Sequence, residues 1–496
     1  MSTAVVTQPQ LRRGPVTLGP ILYFVSVIVC CFGVAMLAPT LLDLVDGNSD
    51  YRIFLLCALG TLFVGVTVAI ATRSQDTEMT VQETMLAVPA AWLTVALCSA
   101  VPLMLSQFQL SLTDAIFEVM SGLTATGSTV IVGLDEAPRG LLLWRFLLVW
   151  FGGFGVVTIA VLLLPFLRIG GLQLFSLDLS AQSGKFLPRI TEVITQIGLI
   201  YIGLTALCAF SYWLAGMNVF DAIGHAMAAV ATGGFSSHDA SIGYFHSPAI
   251  EWISVVFMAL SAMPFVLHLQ ALHGQPGPLV RDSQVRLFLG IIAGAVVALT
   301  LWQMVHNGAG FSTALRQASF AFVSIITCTG FTSPDYAQWG GFPELVMLLG
   351  MLAGGCTGST AGGIKMFRLL TLVQMLRVQI RRQVFPHGTF RVTFNGETVP
   401  DLARSGVANY FFIYMSSFFL LSLGLTATGM GFIESLGSAA TALGGVGPAL
   451  GPNVGPCCTY QSIPDAAKWM MAIGMLAGRL EILILIIPFS RSFWRQ

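Results

Sequence analysis

The sequence predicts an all-α polytopic membrane protein with about ten transmembrane helices, most of them in four pseudo-symmetric repeats of a helix, a re-entrant loop and a second helix. Three observations support this fold. The composition is 55% hydrophobic and 9% charged, with a mean hydropathy of +0.81, which is typical of a chain surrounded by lipid. Apolar stretches of spanning length recur along the chain, and four Gly-rich segments between them are alike.

The candidate spans account for almost the whole chain. A formal net charge of zero gives no reason to expect a nucleic-acid partner, and no stretch is left for a separate soluble domain. The first span is longer than the apolar core of a cleaved signal peptide and is therefore expected to remain as a helix. The ten stretches lie near residues 18–42, 51–72, 85–106, 140–165, 190–215, 249–272, 285–306, 342–376, 405–430 and 465–489.

The distribution of Lys and Arg predicts the orientation. Connections on the cytoplasmic side carry the excess of these residues. The protein is expected in the cell inner (plasma) membrane, with both termini cytoplasmic and the four Gly-rich segments entering from the outer side. The opposite side has little beyond Arg52, Arg139 and Lys468. The predicted cytoplasmic residues are Arg12, Arg13, Arg73, Arg168, Lys185, Arg189, Arg281, Arg286, Arg377, Arg381, Arg382, Arg391, Arg404, Arg491 and Arg495.

The repeat is visible when the four short segments are compared. Each has about ten helix-compatible residues that run into a glycine. They read FEVMSGLTATGSTV (117–130), IGHAMAAVATGGFS (223–236), FAFVSIITCTGFTS (320–333) and ESLGSAATALGGVG (434–447). The expected organisation is two N-terminal helices in 1–80, followed by repeats in 81–170, 171–275, 276–385, with a broken second helix, and 386–496.

Four such units suggest a path for a cation through one central pore. A short helix that enters from outside points its C-terminal end inward, with roughly half a negative charge. Extended backbone beyond it is tolerated inside a membrane only where it is buried or lines water, and rings of carbonyls can replace a cation's hydration shell. The alternative is that these segments are helix-packing stretches or surface turns.

The motifs resemble the Trk, Ktr and HKT superfamily of potassium transporters, and within it the bacterial Trk-type membrane subunit. The resemblance covers essentially the whole chain. It implies potassium uptake, with K⁺ as the transported ion and no bound cofactor, by a homodimer above a cytosolic nucleotide-binding (NAD/ATP-type) regulatory subunit. The motifs are TATGSTV (124–130), ATGGFSS (231–237), TCTGFTSPDY (327–336), ALGGVGPALG (442–451) and AGGCTGSTAGGIKMFR (353–368).

The resemblance implies a selectivity filter of backbone carbonyls that binds potassium. Sodium-selective plant members have serine at the first filter glycine, so Gly127 favours potassium. Leu443 departs from the threonine that precedes the other three glycines. The expected filter residues are Ala125, Thr126, Gly127, Ala231, Thr232, Gly233, Cys328, Thr329, Gly330, Ala442, Leu443 and Gly444.

A Gly-rich run at 354–365 interrupts an apolar stretch, and we expect a flexible plug there. An ordinary kink remains open. A phosphate-binding loop is disfavoured, because no strand precedes the run and no Lys-Ser or Lys-Thr pair closes it. The resemblance implies a gate below the filter, anchored with the help of Lys365 and Arg368. The expected gating residues are Gly354, Gly355, Thr357, Gly358, Ser359, Gly362, Gly363, Lys365 and Arg479.

Arg479 lies inside an apolar stretch, where an arginine costs about 2.5–3.5 kcal/mol on insertion scales. It should face the pore or a partner, and a purely structural pairing stays open. The resemblance favours the pore, where a matching arginine impedes cation flow. Asp114 and Asp221 open the first two pore helices, and we expect them to act as N-caps.

Two other function classes remain. A proton- or sodium-coupled symporter would place carboxylates near the midplane and use inverted repeats, whereas these repeats share one orientation. An enzyme would need a clustered nucleophile, base or metal set, and the sequence has none of the usual motifs. The nine cysteines have no C-x-x-C spacing, and only Cys457 and Cys458 lie in a polar loop where a disulfide or a reactive thiol is plausible.

Overall fold

The computed structural model describes residues 16–73, 79–163, 186–333 and 335–494. Five of the basic residues used to predict the orientation, Arg12, Arg13, Arg168, Lys185 and Arg495, lie outside these ranges. The chain divides into two compact units. One runs to Gln109 and includes the residues from Leu483 onward, and the other spans Leu110–Ile482.

The first unit contains four helices near the N-terminus: α1 (Leu18–Ala35), α2 (Leu37–Asp46), α3 (Tyr51–Thr72) and α4 (Val81–Leu105). Glycines bring α1 and α3 close, because a β-carbon on Gly65 would lie 2.6 Å from Cys30 Sγ. Helix α4, which the sequence analysis placed in the first repeat, packs against α1 in this unit.

The second unit contains the four short helices expected from the Gly-rich segments and the longer helices between them. A two-stranded hairpin of β1 (Thr393–Phe394) and β2 (Glu397–Thr398) joins α15 to α16. The helices are α5 (Leu112–Leu123), α6 (Arg139–Leu163), α7 (Phe186–Leu214), α8 (Val219–Val230), α9 (Pro248–Ser261), α10 (Phe265–Leu272), α11 (Gly277–Arg281), α12 (Ser283–His306), α13 (Phe311–Ile326), α14 (Gly341–Ala353), α15 (Met366–Val384), α16 (Asp401–Ala427), α17 (Phe432–Gly444) and α18 (Asp465–Arg479). The chain ends with α19 (Ile482–Ile486) and α20 (Arg491–Trp494).

The predicted all-α polytopic membrane fold is confirmed. Within the described ranges, seven helices are long and apolar enough to cross a membrane, or nine if each of two bent pairs counts as one span. Three of the ten expected stretches are sharply broken, whereas α1 and α2, which meet at Met36, count as one of the seven spans. Helices α9 and α10 meet at 97° around Pro264, which lacks a backbone N–H. Residues 354–365 separate α14 from α15, and α18 ends just before Glu481, whose φ is +66°.

The first two short helices begin with well-made caps. Ser111 accepts a hydrogen bond from the backbone N–H of Asp114 (3.1 Å), and Asn218 accepts one from that of Asp221 (2.9 Å). The N-caps are therefore Ser111 and Asn218, and the expectation that Asp114 and Asp221 are the caps is wrong by three residues. The two carboxylates bind the cap side chains instead and complement the helix dipole.

Candidate ion pathway

Each of the four short helices α5, α8, α13 and α17 ends in the same backbone turn. The first residue of the turn is left-handed, with φ of 47°, 51°, 58° and 69° at Ala125, Thr232, Cys328 and Gly445. Three of these are not glycine, which is uncommon for positive φ and typical of functional sites. The third residue is a left-handed glycine in every case. We call these the ring glycines: Gly127, Gly234, Gly330 and Gly447.

The ring glycines close a circle. A β-carbon added to Gly127 would lie 2.5 Å from the carbonyl oxygen of Gly233, and one on Gly234 would lie 2.0 Å from that of Thr329. One on Gly330 would lie 2.0 Å from the carbonyl of Val446, and one on Gly447 would lie 2.8 Å from that of Thr126. In each case, the third residue of one turn packs against the carbonyl group of the second residue of the next turn. Only glycine fits this backbone angle and this approach.

This circle corrects the expected register in two loops. The first and third turns are where the sequence placed them. In the second, Ala231 still has right-handed geometry, and the turn is made by Thr232, Gly233 and Gly234. In the fourth, α17 continues through Ala442, Leu443 and Gly444, so the turn is made by Gly445, Val446 and Gly447.

Four residues of the turns were missed: Gly234, Gly445, Val446 and Gly447. The signal that could have found the fourth loop is a hydroxyl residue six positions before the ring glycine, as in Ser121, Ser324 and Thr441. Ser324 Oγ donates to the carbonyl of Phe331 (2.7 Å), and Thr441 Oγ1 donates to that of Pro448 (2.8 Å). Leu443, which departs from the threonine of the other three segments, lies within α17 and before the turn.

The first two loops are held by a different side chain. Glu118 accepts a hydrogen bond from Thr129 Oγ1 (3.0 Å), and His225 is bonded to Ser236 Oγ (2.9 Å). Each pair lies at matching positions relative to its ring glycine. Polar side chains on the short helices thus fix the outgoing chain in all four loops, in two different ways.

Arg145 on α6 fastens the first two loops to each other. Its Nε lies 2.8 Å from Glu118 Oε1, and its Nη1 donates to the carbonyl of Ser236 (2.8 Å). Its guanidinium also stacks on the ring of Phe235, 4.2 Å from the centroid. The two charged side chains are 1% and 0% exposed, so each depends on the other for the compensation of its charge.

A cavity of 280 Å³ lies on one side of the ring, and all four ring glycines line it. His238 lies in its wall between two carboxylates, with Nδ1 2.5 Å from Asp135 Oδ1 and Nε2 3.2 Å from Asp221 Oδ2. Both of these oxygens are acceptors, so the geometry favours a doubly protonated imidazolium. Burial lowers the pKa of His238, but these hydrogen bonds outweigh burial and leave the pKa raised. We call this cavity the vestibule.

The other side of the ring is occupied by residues 354–365, which we call the interrupting loop. Thr360 Oγ1 lies 3.2 Å from the carbonyl of Val230, at the end of α8. A β-carbon on Gly362 would lie 2.1 Å from the carbonyl of Gly444, at the end of α17. The loop therefore lies against the negative ends of two short helices, where a cation would also be stabilised.

The interrupting loop is supported by the other broken spans. Cys356 N–H donates to the carbonyl of Ala262 (2.9 Å), and Phe265 N–H donates to that of Gly358 (3.0 Å), so the break between α9 and α10 satisfies the loop backbone. At the third break, Glu481 accepts two hydrogen bonds from Arg368 Nη2 (2.8 and 2.7 Å). Three interruptions thus meet at one place.

Arg479 lies beside the interrupting loop. Its Nη1 is 3.8 Å from the position of a β-carbon on Gly362. The side chain is 9% exposed, and its three guanidinium nitrogens have no hydrogen-bond partner within the described part of the chain. A buried guanidinium without acceptors is costly, and the loop beside Arg479 lies at the negative ends of two short helices, which favour a positive charge. Arg368, in contrast, is paired with Glu481 and stacks on Tyr410.

The remaining candidates lie outside the four turns. All nine cysteines are free, and Cys457 and Cys458 are exposed in the wall of the vestibule. Among the described residues, no group of three or more His, Cys, Asp or Glu side chains has the arrangement of a metal site.

Comparisons with known proteins agree over almost the whole chain. The family described as TrkH, cation transport protein, matches residues 52–495. The chain is 38% identical over 483 residues to the Trk system potassium uptake protein TrkI of Halomonas elongata, which covers 96% of this chain and 97% of that protein. It is 36% identical over 479 residues to the Trk system potassium uptake protein TrkH of Escherichia coli, with 95% and 98% covered. The crystal structure of the potassium transporter TrkH from Vibrio parahaemolyticus matches with a TM-score of 0.90 at 36% identity, and covers 97% of this chain and 100% of that one.

The buried pair of Glu118 and Arg145 gives a prediction about stability. Glu118→Ala leaves the Arg145 charge buried without its partner and should destabilise the protein by about 3–5 kcal/mol. Thermal unfolding of the purified protein in detergent measures this. Glu136→Ala, at an exposed carboxylate, is the control and should change stability by less than about 0.5 kcal/mol. Equal melting temperatures for the two variants would show that the pair does not hold the loops.

Proposed function

The chain belongs to the TrkH family of cation transport proteins, and we propose that it takes up potassium across the cell membrane through the circle of four loops. Its curated relatives are potassium uptake proteins, and its many apolar helices make it a multi-pass membrane protein. The observation that carries the proposal is the closed circle of ring glycines. It brings one loop of each expected repeat to a common axis, with backbone and no side chain at the points of closest approach.

The selectivity filter in this proposal follows the register of the structure. K⁺ loses water as it enters the circle and gains carbonyl oxygens in exchange. Ala231, Ala442, Leu443 and Gly444, which the sequence analysis included, then belong to the helix ends below the filter. The proposed filter residues are Ala125, Thr126, Gly127, Thr232, Gly233, Gly234, Cys328, Thr329, Gly330, Gly445, Val446 and Gly447.

A coupled symporter is less well supported. The turns of the four loops contain no carboxylate, and Glu118, the acidic residue behind the first loop, is already paired with Arg145. A coupling site would need a carboxylate that is free to gain and lose its ion. Channel-like conduction requires only the carbonyls of the filter.

The interrupting loop and Arg479 form the proposed gate. The loop lies below the filter at the ends of α8 and α17, and the gating residues are those expected from the sequence, Gly354, Gly355, Thr357, Gly358, Ser359, Gly362, Gly363, Lys365 and Arg479. Arg479 places a positive charge where the helix dipoles would otherwise favour K⁺. Displacement of the loop together with this charge would open the path.

The names of the relatives support the proposed assembly, and the distribution of charge supports the proposed orientation. Relatives are described as parts of a Trk system, and we extend this to a homodimer with a cytosolic nucleotide-binding regulatory subunit. The vestibule faces outward in this proposal, and both termini are cytoplasmic in the inner membrane. The repeats keep the expected boundaries 81–170, 171–275, 276–385 and 386–496, after the N-terminal helices of 1–80.

The filter is tested by Gly127→Ser. A serine there would be strained by the left-handed backbone and would meet the Gly233 carbonyl, so the circle should widen and potassium preference over sodium should fall. Rubidium and sodium fluxes into reconstituted vesicles measure this. Gly310→Ser is the matched control, because Gly310 caps α13 with no neighbour within 4 Å, and serine is favoured at such a position. Unchanged selectivity in Gly127→Ser would overturn the filter assignment.

The gate is tested by Arg479→Ala. Removal of the charge below the filter should raise rubidium flux by roughly tenfold or more, since a barrier lower by about 1.4 kcal/mol gives a tenfold change. Arg377→Ala, at an exposed position of α15, is the control and should leave the flux unchanged. A flux in Arg479→Ala that equals or falls below the parent's would contradict the gating role.

A further inference from the structure

The hairpin of β1 and β2 lies on the side of the membrane that we propose to be cytoplasmic. In the sequence, α15 separates it from the interrupting loop. Its turn is made by Asn395 and Gly396, both with positive φ (47° and 92°), as expected for an Asn-Gly hairpin turn. Asn395 is an exposed residue, but its side chain does not extend freely into solvent. It reaches the beginning of α12.

The first link is a two-way contact between the turn and α12. Asn395 Nδ2 donates to Asp282 Oδ2 (2.7 Å), and the backbone N–H of Ser283 donates to Asn395 Oδ1 (2.9 Å). Asp282 is the N-cap of α12 and uses its other oxygen to accept from the N–H groups of Gln284 and Val285 (2.9 and 3.2 Å). The nitrogen and the oxygen of the Asn395 side-chain amide thus both bind the N-terminus of α12.

The second link runs from α12 to the interrupting loop. Gln284 is 1% exposed, and its Oε1 accepts a hydrogen bond from the backbone N–H of Thr357 (3.0 Å). A continuous series of hydrogen bonds therefore runs from Asn395 through Asp282 and Gln284 to Thr357. It joins a surface turn to the middle of a loop that is buried below the filter.

The hairpin also contacts α15, the helix that follows the interrupting loop. Phe394 packs edge-on against Phe367, with ring centroids 4.9 Å apart, and the backbone N–H of Thr393 donates to Gln374 Oε1 (3.0 Å). Both partners belong to α15, whose first residue, Met366, directly follows the interrupting loop. Movement of the hairpin would therefore act on the loop from two directions.

A cavity lies beside the first link. It has a volume of 670 Å³ and is lined by Phe394, Asn395 and Gly396 of the hairpin and by Arg281, Asp282 and Arg286 at the end of α11 and the start of α12. Tight packing would fix the hairpin against α12 without any polar contact. Here the amide of Asn395 spans one edge of an open space.

We propose that Asn395, Asp282 and Gln284 are positioning residues that couple the hairpin to the interrupting loop and hold the loop in its closed place below the filter. The inference rests on the proposed gating role of that loop. In this proposal the hydrogen bonds transmit any displacement of the hairpin to the interrupting loop, which blocks the path.

A double-mutant cycle tests the relay. Asn395→Gly keeps the left-handed turn but removes the amide, and Gln284→Leu keeps the volume but removes the acceptor. Each should raise rubidium flux into vesicles by roughly fivefold, the effect of one lost hydrogen bond on an equilibrium. The rubidium flux of the double variant should equal that of either single variant, because both substitutions interrupt the same series of hydrogen bonds. Amide hydrogen exchange in residues 354–365 should accelerate in all three variants.

The matched control lies at the other end of the same helix. Asn307 Nδ2 donates to Gln303 Oε1 (2.8 Å), so Asn307→Gly and Gln303→Leu remove the same kind of bond from α12 without touching the relay, and both should keep the parent's flux and loop exchange. Additive effects in the relay variants, or unchanged flux in them while Arg479→Ala raises it, would overturn the relay and leave the gate intact. If Arg479→Ala also leaves the flux unchanged, the gate itself fails, and the relay with it.

Discussion

The close approach of each ring glycine to the next loop's carbonyl limits how the four loops and the helices around them can pack. A β-carbon added to a ring glycine would lie 2.0–2.8 Å from the nearest carbonyl oxygen of the next loop. There is thus no room for a side chain at any of the four points, and the circle is made of backbone alone. Such backbone can lie inside a membrane only if other residues hold it. The long helices make room as well: a β-carbon on Gly152 would lie 2.0 Å from the carbonyl of Leu123, and one on Gly478 would lie 2.1 Å from that of Leu443. Glycine thus allows close packing both within the circle and behind it.

The circle is symmetric in its backbone but not in its supports. The carboxylate of Glu118 holds the first loop and the imidazole of His225 holds the second, and Arg145 ties the two loops together. Loops three and four are held by the hydroxyls of Ser324 and Thr441. A single chain can vary its supports in this way because each quarter has its own sequence. On the opposite side, three interruptions meet at one place. Backbone groups freed at the α9–α10 break and in the interrupting loop are hydrogen-bonded to each other, and Glu481 at the third break is paired with Arg368.

Much of the fold could be predicted from the sequence, because hydrophobic length and the distribution of charge report directly on membrane spans. The turns at Gly127 and Gly330 could also be predicted, since a Thr-Gly pair follows each short helix. The register at Gly234 and Gly447 could not, because adjacent glycines leave several positions with the same local preference, and only contact with the neighbouring loops selects one. The pair of Glu118 and Arg145 and the link from Asn395 to Thr357 join residues far apart in sequence, and no local pattern marks them.

In the proposed filter, the ion is held by the carbonyls of the circle in the register that the four contacts define. A crystal structure of the protein grown in rubidium, with the ion located by its anomalous scattering, tests this register. We expect density on the axis of the circle, surrounded by the carbonyl oxygens of Thr126, Gly233, Thr329 and Val446. Rubidium bound away from the circle, or a fourth loop that contributes through Ala442 and Leu443 in place of Gly445–Gly447, would contradict it.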